Sequence, residues 1–255
     1  MPAPLTFPTG APIWIELNTS DVPAAKRFYE GLFGWTTTDT GPDFGNYVTL
    51  DLEGAAVGGM MPQQAPGVPD AWTVYLHSSD VATTATAIRD AEGDVLMGPQ
   101  DVMEMGRMLV AADADRGIVA AWEPGTNPGL GVIAEVGAPA WFELHTTQFH
   151  REVEFYQQAF GWQTATMADT PEFRYAQLLV DGQPYAGVMD ASAYWAPGAP
   201  AAWLVYFLVA DADAALARAV ELGGAVVDEP ADTPYGRLAT LSDPTGALLK
   251  VMQSL

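Results

Sequence analysis

Pro12-Ile-Trp-Ile-Glu-Leu-Asn-Thr19 recurs without a gap as Pro139-Ala-Trp-Phe-Glu-Leu-His-Thr146. In the same register, the phrases Phe-Tyr and Phe-Gly-Trp also recur, as Phe28-Tyr29 with Phe155-Tyr156 and as Phe33-Gly34-Trp35 with Phe160-Gly161-Trp162. Self-similarity at a fixed spacing indicates repeated structural units. The chain of 255 residues therefore consists of two duplicated halves.

The boundary between the halves is predicted in Glu123-Pro-Gly-Thr-Asn-Pro-Gly-Leu-Gly131. Proline and glycine at this density break any helix or strand, as is typical of a linker. We therefore predict one domain over residues 8–124 (half one), a linker over 125–136, and a second domain over 137–255 (half two).

Within a half the pattern of elements is regular. Alternating apolar residues predict a strand over Ile13 to Leu17, and Asp21 supplies cap chemistry for a helix that ends before Gly34. Three short strands follow, and the order then restarts with a strand near Trp72, a helix from Val81 to Glu92 and three more strands. Each half is thus two βαβββ units, and the chain has four.

Four such units carrying Trp-x-Glu-Leu-x-Thr, Phe-Tyr and Phe-Gly-Trp resemble the vicinal oxygen chelate superfamily, also called the glyoxalase/bleomycin-resistance/dihydroxybiphenyl-dioxygenase family. More narrowly, they resemble its tandem members from antibiotic-producing bacteria. The resemblance implies an α+β fold in which four βαβββ units form two glyoxalase-like half-barrel domains, each around one cavity. Which units pair stays open, because the family includes swapped pairings.

The charge balance excludes several partners. The chain has 32 acidic and 10 basic side chains, for a net charge of -22. Nucleic-acid binding depends on Lys and Arg that neutralise phosphates, so we expect no nucleic-acid partner. Anionic membrane surfaces are disfavoured for the same reason. Without a basic leader or a long apolar run, the expected location is the cytoplasm, as a monomer or a homodimer.

Metal-dependent members of the superfamily hold one divalent ion with His or Gln, His and Glu. At the positions that the resemblance assigns to these ligands, this chain has Trp14 and Trp141, Val74 and Val205, and Ala121 and Lys250. None is an ordinary metal ligand, and the chain has no Cys and only three His. We therefore expect no bound metal. Motifs for phosphate or dinucleotide cofactors are absent from the sequence, so no cofactor is expected.

Strand alternation predicts which side chains line the two cavities. In half one these are Trp14, Glu16 and Asn18 on the first strand, opposite Trp72, Val74 and Leu76. In half two they are Trp141, Glu143 and His145, opposite Trp203, Val205 and Phe207. Duplicated Trp walls suit flat aromatic ligands. The alternative is that these Trp fill the barrels as core.

Two carboxylates on these apolar faces are candidate general bases or ligand acceptors. Burial raises the pKa of Glu16 and Glu143 unless a partner compensates. Lys250 is predicted to neutralise Glu143 across the barrel, whereas Ala121 leaves half one without a cation. Glu16 is therefore the better candidate for chemistry, and an internal ion pair or backbone hydrogen bonding is the structural alternative.

Three functional classes follow. The first is a metal-independent protein that binds an aromatic natural product, such as an antibiotic or its biosynthetic intermediate; the acidic surface favours cationic ligands. The second is a metal-free tailoring enzyme, such as a cyclase, isomerase or hydroxylation partner, with Glu16 or Glu143 as base. The third is a metal-dependent lyase or dioxygenase, which the missing ligand set disfavours. Whether the protein is an enzyme stays open.

Overall fold

The computed structural model describes residues 5–64 and 67–254. The elements of half one are β1 (Pro12–Thr19), α1 (Val22–Phe33), β2 (Thr36–Asp39), a 3-10 turn (Pro42–Phe44), β3 (Val48–Leu52), β4 (Ala55–Pro62), β5 (Ala71–His77), α2 (Val81–Asp90), β6 (Asp94–Val102), β7 (Gly106–Ala112) and β8 (Ile118–Pro124). Those of half two are β9 (Pro139–Thr146), α3 (Phe149–Phe160), β10 (Gln163–Asp169), β11 (Arg174–Val180), β12 (Gln183–Asp190), β13 (Ala202–Leu208), α4 (Ala212–Glu221), β14 (Ala225–Thr233), β15 (Gly236–Ser242) and β16 (Leu248–Gln253).

Each half forms one eight-stranded mixed sheet. The strand orders are β2-β3-β4-β1-β5-β8-β7-β6 and β10-β11-β12-β9-β13-β16-β15-β14. The first strands of the two units lie side by side and antiparallel, β1 with β5 and β9 with β13. The fold is therefore α+β, with two glyoxalase-like domains, and the two units of one half pair with each other.

Local sequence explains the helix that follows each first strand. The side chain of Asp21 accepts a hydrogen bond from the amide of Ala24 and caps α1. Both α1 and α3 end at a glycine in the left-handed region, Gly34 with φ 74° and Gly161 with φ 70°, where a side chain would be strained. The apolar stripe of α1 includes Phe28 and Tyr29, which are fully buried.

The duplicated aromatic residues hold the two halves together. The indole of Trp35 donates to the carbonyl of Gly137 at 2.7 Å, and that of Trp162 donates to Gly10 at 3.0 Å. Tyr29 of α1 donates to Asp243 of half two at 3.1 Å, and Tyr156 of α3 donates to Asp113 of half one at 3.0 Å. The halves therefore share one buried core rather than touching at their surfaces.

The pairing of β1 with β5 corrects the predicted cavity walls. Trp14 lies opposite Tyr75 and Glu16 opposite Thr73, and directly paired residues lie on the same face of a sheet. We call this face, which carries Trp14 and Glu16 in half one and Trp141 and Glu143 in half two, the inner face.

Six of the predicted wall residues lie on the opposite face. They are Trp72, Val74, Leu76, Trp203, Val205 and Phe207. The indole of Trp72 donates to Tyr29 of α1 at 3.0 Å, and that of Trp203 donates to Tyr156 of α3 at 2.9 Å. The prediction was wrong because β5 and β13 are apolar on both faces, so alternation does not define their parity, and a one-residue shift moves every side chain to the other face.

In the part of the chain that the structure describes, no helix is long and apolar enough to span a membrane.

Candidate functional site

The inner face of half one carries a hydrogen-bonded group of four side chains around Glu16. The indole of Trp14 donates to the hydroxyl of Tyr47 at 3.1 Å, and the hydroxyl of Tyr75 donates to Glu16 Oε1 at 3.1 Å. Tyr47 and Asn18 lie beside Glu16, and both polar side chains oppose the rise of its pKa. The predicted residues Trp14, Glu16 and Asn18 are therefore brought together, on one strand and on one face.

Half two repeats the arrangement around Glu143. The indole of Trp141 donates to the hydroxyl of Tyr175 at 3.0 Å, and the hydroxyl of Tyr206 donates to Glu143 Oε1 at 2.6 Å. Tyr175 lies beside Glu143 and lowers the pKa of its carboxyl. We call each set, Trp14–Tyr47–Glu16–Tyr75 and Trp141–Tyr175–Glu143–Tyr206, a Trp–Tyr–Glu–Tyr network.

A glycine makes room for each network. Gly59 is in register with Glu16 on the neighbouring strand, and Gly187 with Glu143. A Cβ atom at either glycine would overlap the hydroxyl of Tyr47 or Tyr175. The tyrosine can therefore lie across the sheet and cover the carboxylate only because the residue beneath it has no side chain.

The two carboxylates have opposite protonation behaviour. Burial raises the pKa of Glu16 to about 7, although the hydrogen bond from Tyr75 and the polar side chains of Tyr47 and Asn18 oppose the shift. Burial also raises the pKa of Glu143, but the hydrogen bond and electrostatic interaction with His145, whose Nε2 lies 2.7 Å from Oε1, outweigh it and lower the pKa below its ordinary value. Glu143 is thus held ionised, whereas Glu16 can gain or lose a proton near neutral pH.

The direct partner of Glu143 is His145 rather than Lys250. Lys250 lies beside Tyr206 in the sheet, with Nζ 5.3 Å from the centroid of the tyrosine ring. Its counterpart in half one is Ala120, which is in register with Tyr75, and not the expected Ala121. Counting from the turn glycine gave the wrong residue because the two glycines do not correspond: the amide of Asp113 bonds to the carbonyl of Gly117, whereas the amide of Asp243 bonds to that of Ala247, one residue after Gly246. The expectation that half one has no cation at this place is unchanged.

Aromatic side chains surround the network of half two. The hydroxyl of Tyr194 lies 3.1 Å from Nδ1 of His145, and the ring of Trp195 lies 5.7 Å from the imidazole. Phe173 stacks on Tyr175 with the centroids 6.0 Å apart. Tyr194 is 56% exposed and Phe173 is 49% exposed. These three side chains form a partly solvent-exposed aromatic rim above buried polar groups.

The residues present do not fit the metal site that the fold family implies. The first-strand positions hold Trp14 and Trp141, whose indole nitrogens donate hydrogen bonds and have no free lone pair to offer a cation. The late-strand positions hold Ala120 and Lys250. Among the described residues, no three His, Asp or Glu side chains form a group able to hold a metal ion.

The sequence reasoning missed the four tyrosines of the networks. A signal for all of them was present in the duplication. Tyr75 and Tyr206 occupy matching positions, and Tyr47 and Tyr175 keep the same spacing as Gly59 and Gly187. Duplication alone did not show that these hydroxyl groups converge on the glutamates, because that depends on strand pairing.

Residues 12–118 and 138–251 both match the model of the Glyoxalase/Bleomycin resistance protein/Dioxygenase superfamily. The chain belongs to this superfamily. Among its relatives, the "Anthracycline biosynthesis protein DnrV" of Streptomyces peucetius is 36% identical over 97% of this chain and 94% of its own length. CFP32 of Mycobacterium tuberculosis (strain CDC 1551 / Oshkosh), provisionally named a glyoxylase, is 35% identical over 99% of this chain and 98% of its own.

Solved structures of the superfamily share the fold at low sequence identity. The Mn(II)-bound glyoxalase from Novosphingobium aromaticivorans superposes with a TM-score of 0.67 at 12% identity, over 96% of this chain and 82% of that one. The 2,2',3-trihydroxybiphenyl 1,2-dioxygenase from Sphingomonas wittichii RW1 gives 0.64 at 12% identity, over 97% and 91%. At this identity the likeness concerns the fold alone.

Proposed function

We propose that this protein binds an aromatic small molecule, an antibiotic or an intermediate of its biosynthesis, on the inner faces of its half-barrel domains and without a metal ion. The observation that carries the proposal is the Trp–Tyr–Glu–Tyr network, which occupies the inner face in both halves. The similarity to DnrV, whose name places it in anthracycline biosynthesis, supports the choice of ligand class.

The side chains of the inner face suit such a ligand. A flat ring system stacks favourably on indole and phenol rings, and half two offers the half-buried Trp141 together with the rim residues Phe173 and Tyr194. Small-molecule sites combine apolar walls with a few fixed polar groups. The Glu and Tyr hydroxyl groups beneath the rim would pair with hydroxyl or carbonyl oxygens at the edge of the ring system.

The net charge of -22 acts at longer range. It favours the approach of ligands that carry a cationic group, such as an amino sugar, and this effect weakens as salt is added. We therefore expect added salt to lower the association rates of cationic aromatic compounds. The dissociation rates should change less.

Binding is tested by titrating the protein with hydroxylated anthraquinones while following tryptophan fluorescence. We expect saturable binding. Trp14→Phe should weaken the affinity of the site in half one by about tenfold or more, and Trp141→Phe should do the same for the site in half two. Trp72→Phe, on the opposite face of the sheet, is the matched control and should bind as the wild type does. The absence of binding across a panel of polycyclic compounds would overturn the proposal.

Metal independence is tested by dialysis against a chelator before the same titration. We expect unchanged affinity, because no predicted ligand position carries a suitable donor. A complete loss of binding that one specific divalent metal restores would instead favour the glyoxalase or dioxygenase class.

A second candidate is a metal-free tailoring enzyme that uses Glu16 as general acid or base. The observation that favours it is the pKa of about 7 for this buried carboxyl, which matches the proton transfers of catalysis at neutral pH. Turnover that Glu16→Gln abolishes, with ligand affinity kept within a few-fold, would support this candidate. Glu143→Gln is the matched comparison, since Glu143 is held ionised and we expect its loss to affect affinity first.

A further inference from the structure

Lys250 places a cation on the inner face of half two. Its strand position is beside Tyr206, its side chain is half-buried, and its Nζ lies over the tyrosine ring at 5.3 Å from the centroid. Within residues 5–64 and 67–254, no carboxylate lies within salt-bridge distance of Nζ and no hydrogen-bond acceptor contacts it. Removing an ammonium group from water without such a partner is unfavourable.

The neighbouring carboxylates are engaged elsewhere. Glu143 accepts a hydrogen bond from Tyr206 at 2.6 Å and lies 2.7 Å from Nε2 of His145. Asp228 is solvent-exposed on β14, two strands away from β16. Burial lowers the pKa of Lys250, while the charges of Glu143 and Asp228 act against that shift from a distance. The ammonium group is therefore left with three donors and a single π contact.

The fold itself does not require this lysine. Half one builds the same eight-stranded sheet and the same network with Ala120 at the corresponding position. An unpaired, half-buried cation that the sister domain replaces with a methyl group is better explained by a ligand than by stability. The rim residues Phe173 and Tyr194 surround the same inner face.

We propose that Lys250 forms a subsite for an acidic oxygen, a carboxylate or an acidic phenol, on the aromatic ligand of half two, and that half one lacks this subsite. The inference rests on the proposed function, and it makes the two sites unlike in the ligands that they prefer. An aromatic acid would stack against the indole and phenol rings while its oxygen accepts hydrogen bonds from Nζ.

The test uses two probes of the same shape, 2-naphthoate and the neutral 2-naphthamide, titrated by calorimetry against the full-length protein. We expect Lys250→Met to weaken 2-naphthoate about tenfold or more, the usual effect of losing a charge-assisted hydrogen bond. The affinity for 2-naphthamide should change by less than about threefold. Lys26→Met removes the other lysine of the chain, which pairs with Asp39 at the surface, and should leave both affinities unchanged.

The reciprocal variant is Ala120→Lys, which should raise the stoichiometry of 2-naphthoate by one site. Equal affinities of both probes for the wild type and Lys250→Met would overturn the acid subsite while leaving the proposed function intact. If neither probe binds while anthraquinones still do, the acid subsite is overturned and the proposed function stands. Failure of every aromatic compound would overturn the proposed function as well.

Discussion

At the scale of single residues, the residue two positions after Glu16 or Glu143 on its strand determines whether that glutamate is ionised. Asn18 follows Glu16 and His145 follows Glu143, each two positions along the same face. An amide is a neutral hydrogen-bond partner, whereas an imidazole can also carry the positive charge that favours a carboxylate. One substitution between the duplicated halves thus separates a carboxyl that titrates near neutral pH from one that stays ionised.

Glu16→Gln should flatten the dependence of stability on pH between about 4.5 and 7. The folded pKa of about 7 is above the ordinary value of 4.5, so the folded state holds this proton more tightly than the unfolded state does. Its stabilising contribution is complete below 4.5 and is lost as the pH rises through 7. Thermal unfolding midpoints measured across this range check the prediction.

Glu143→Gln should change the dependence of stability on pH in the opposite direction. Because the pKa of Glu143 is lowered in the folded protein, its contribution is present above its ordinary pKa and is lost in acid. The variant should therefore lose stability most at neutral pH and approach the wild type as the pH falls. Identical pH profiles for the two glutamine variants would contradict the assignment of unlike charge states.

At the scale of elements, the two faces of β5 have different roles: one faces the proposed binding site and the other packs against α1. Tyr75 donates to Glu16 on the inner face, while Trp72 donates to Tyr29 of α1 on the helix side. Two aromatic residues three positions apart on one strand therefore have unrelated roles, although they look alike in the sequence.

Conservative substitutions on β5 should separate these roles. Trp72→Phe removes a buried hydrogen bond and should lower stability by about 1 kcal/mol, with ligand affinity unchanged. Tyr75→Phe removes a donor to Glu16, so it should raise the pKa of that carboxyl above 7 and weaken the ligand bound at half one. Denaturant unfolding and the fluorescence titration measure the two effects. A loss of affinity in Trp72→Phe alone would show that the register assignment is wrong.

At the scale of the whole molecule, the contacts between the halves are not symmetric. Glu152 of α3 is fully buried near Asp113 of half one, and neither of its carboxyl oxygens has a hydrogen-bond partner among the described residues, whereas half one has Ala25 at the corresponding place. Burial and the negative charge of Asp113 raise the pKa of Glu152. Since two neighbouring carboxylates cannot both be ionised at low cost, the protonated form of Glu152 is favoured at the contact between the domains.

The stability of the wild type should fall as the pH rises from 4.5 toward about 9. Glu152→Ala, which introduces the residue found in half one, should abolish this fall. The raised pKa means that the contribution of the protonated form is complete below 4.5 and disappears through the folded value. We expect the unfolding midpoint of the variant to exceed that of the wild type at pH 8.5 by about 3 °C or more. Glu152→Gln, which leaves no cavity, should show the same flat profile. A wild-type profile in both variants would contradict the raised pKa of Glu152.

The sequence by itself determined the duplication, the four βαβββ units and the α+β class, because repeated phrases and periodicity are local properties of the chain. It also placed Trp14, Glu16 and Asn18 on one face, because the polar residues of β1 alternate with apolar ones and so show which side chains point the same way. Of the positions assigned to metal ligands, the sequence placed Trp14 and Trp141 on the inner face, whereas Val74 and Val205 lie on the opposite face and Ala120 takes the place expected for Ala121.

Only the tertiary structure decided which face of β5 and β13 is the inner one, that Tyr47 and Tyr175 cover the glutamates, and that His145 rather than Lys250 pairs with Glu143. These facts depend on strand register, on a glycine in the neighbouring strand and on distances across the sheet. A strand that is buried on both faces has no polar side to reveal its orientation. Its role becomes visible only when its partners are in place.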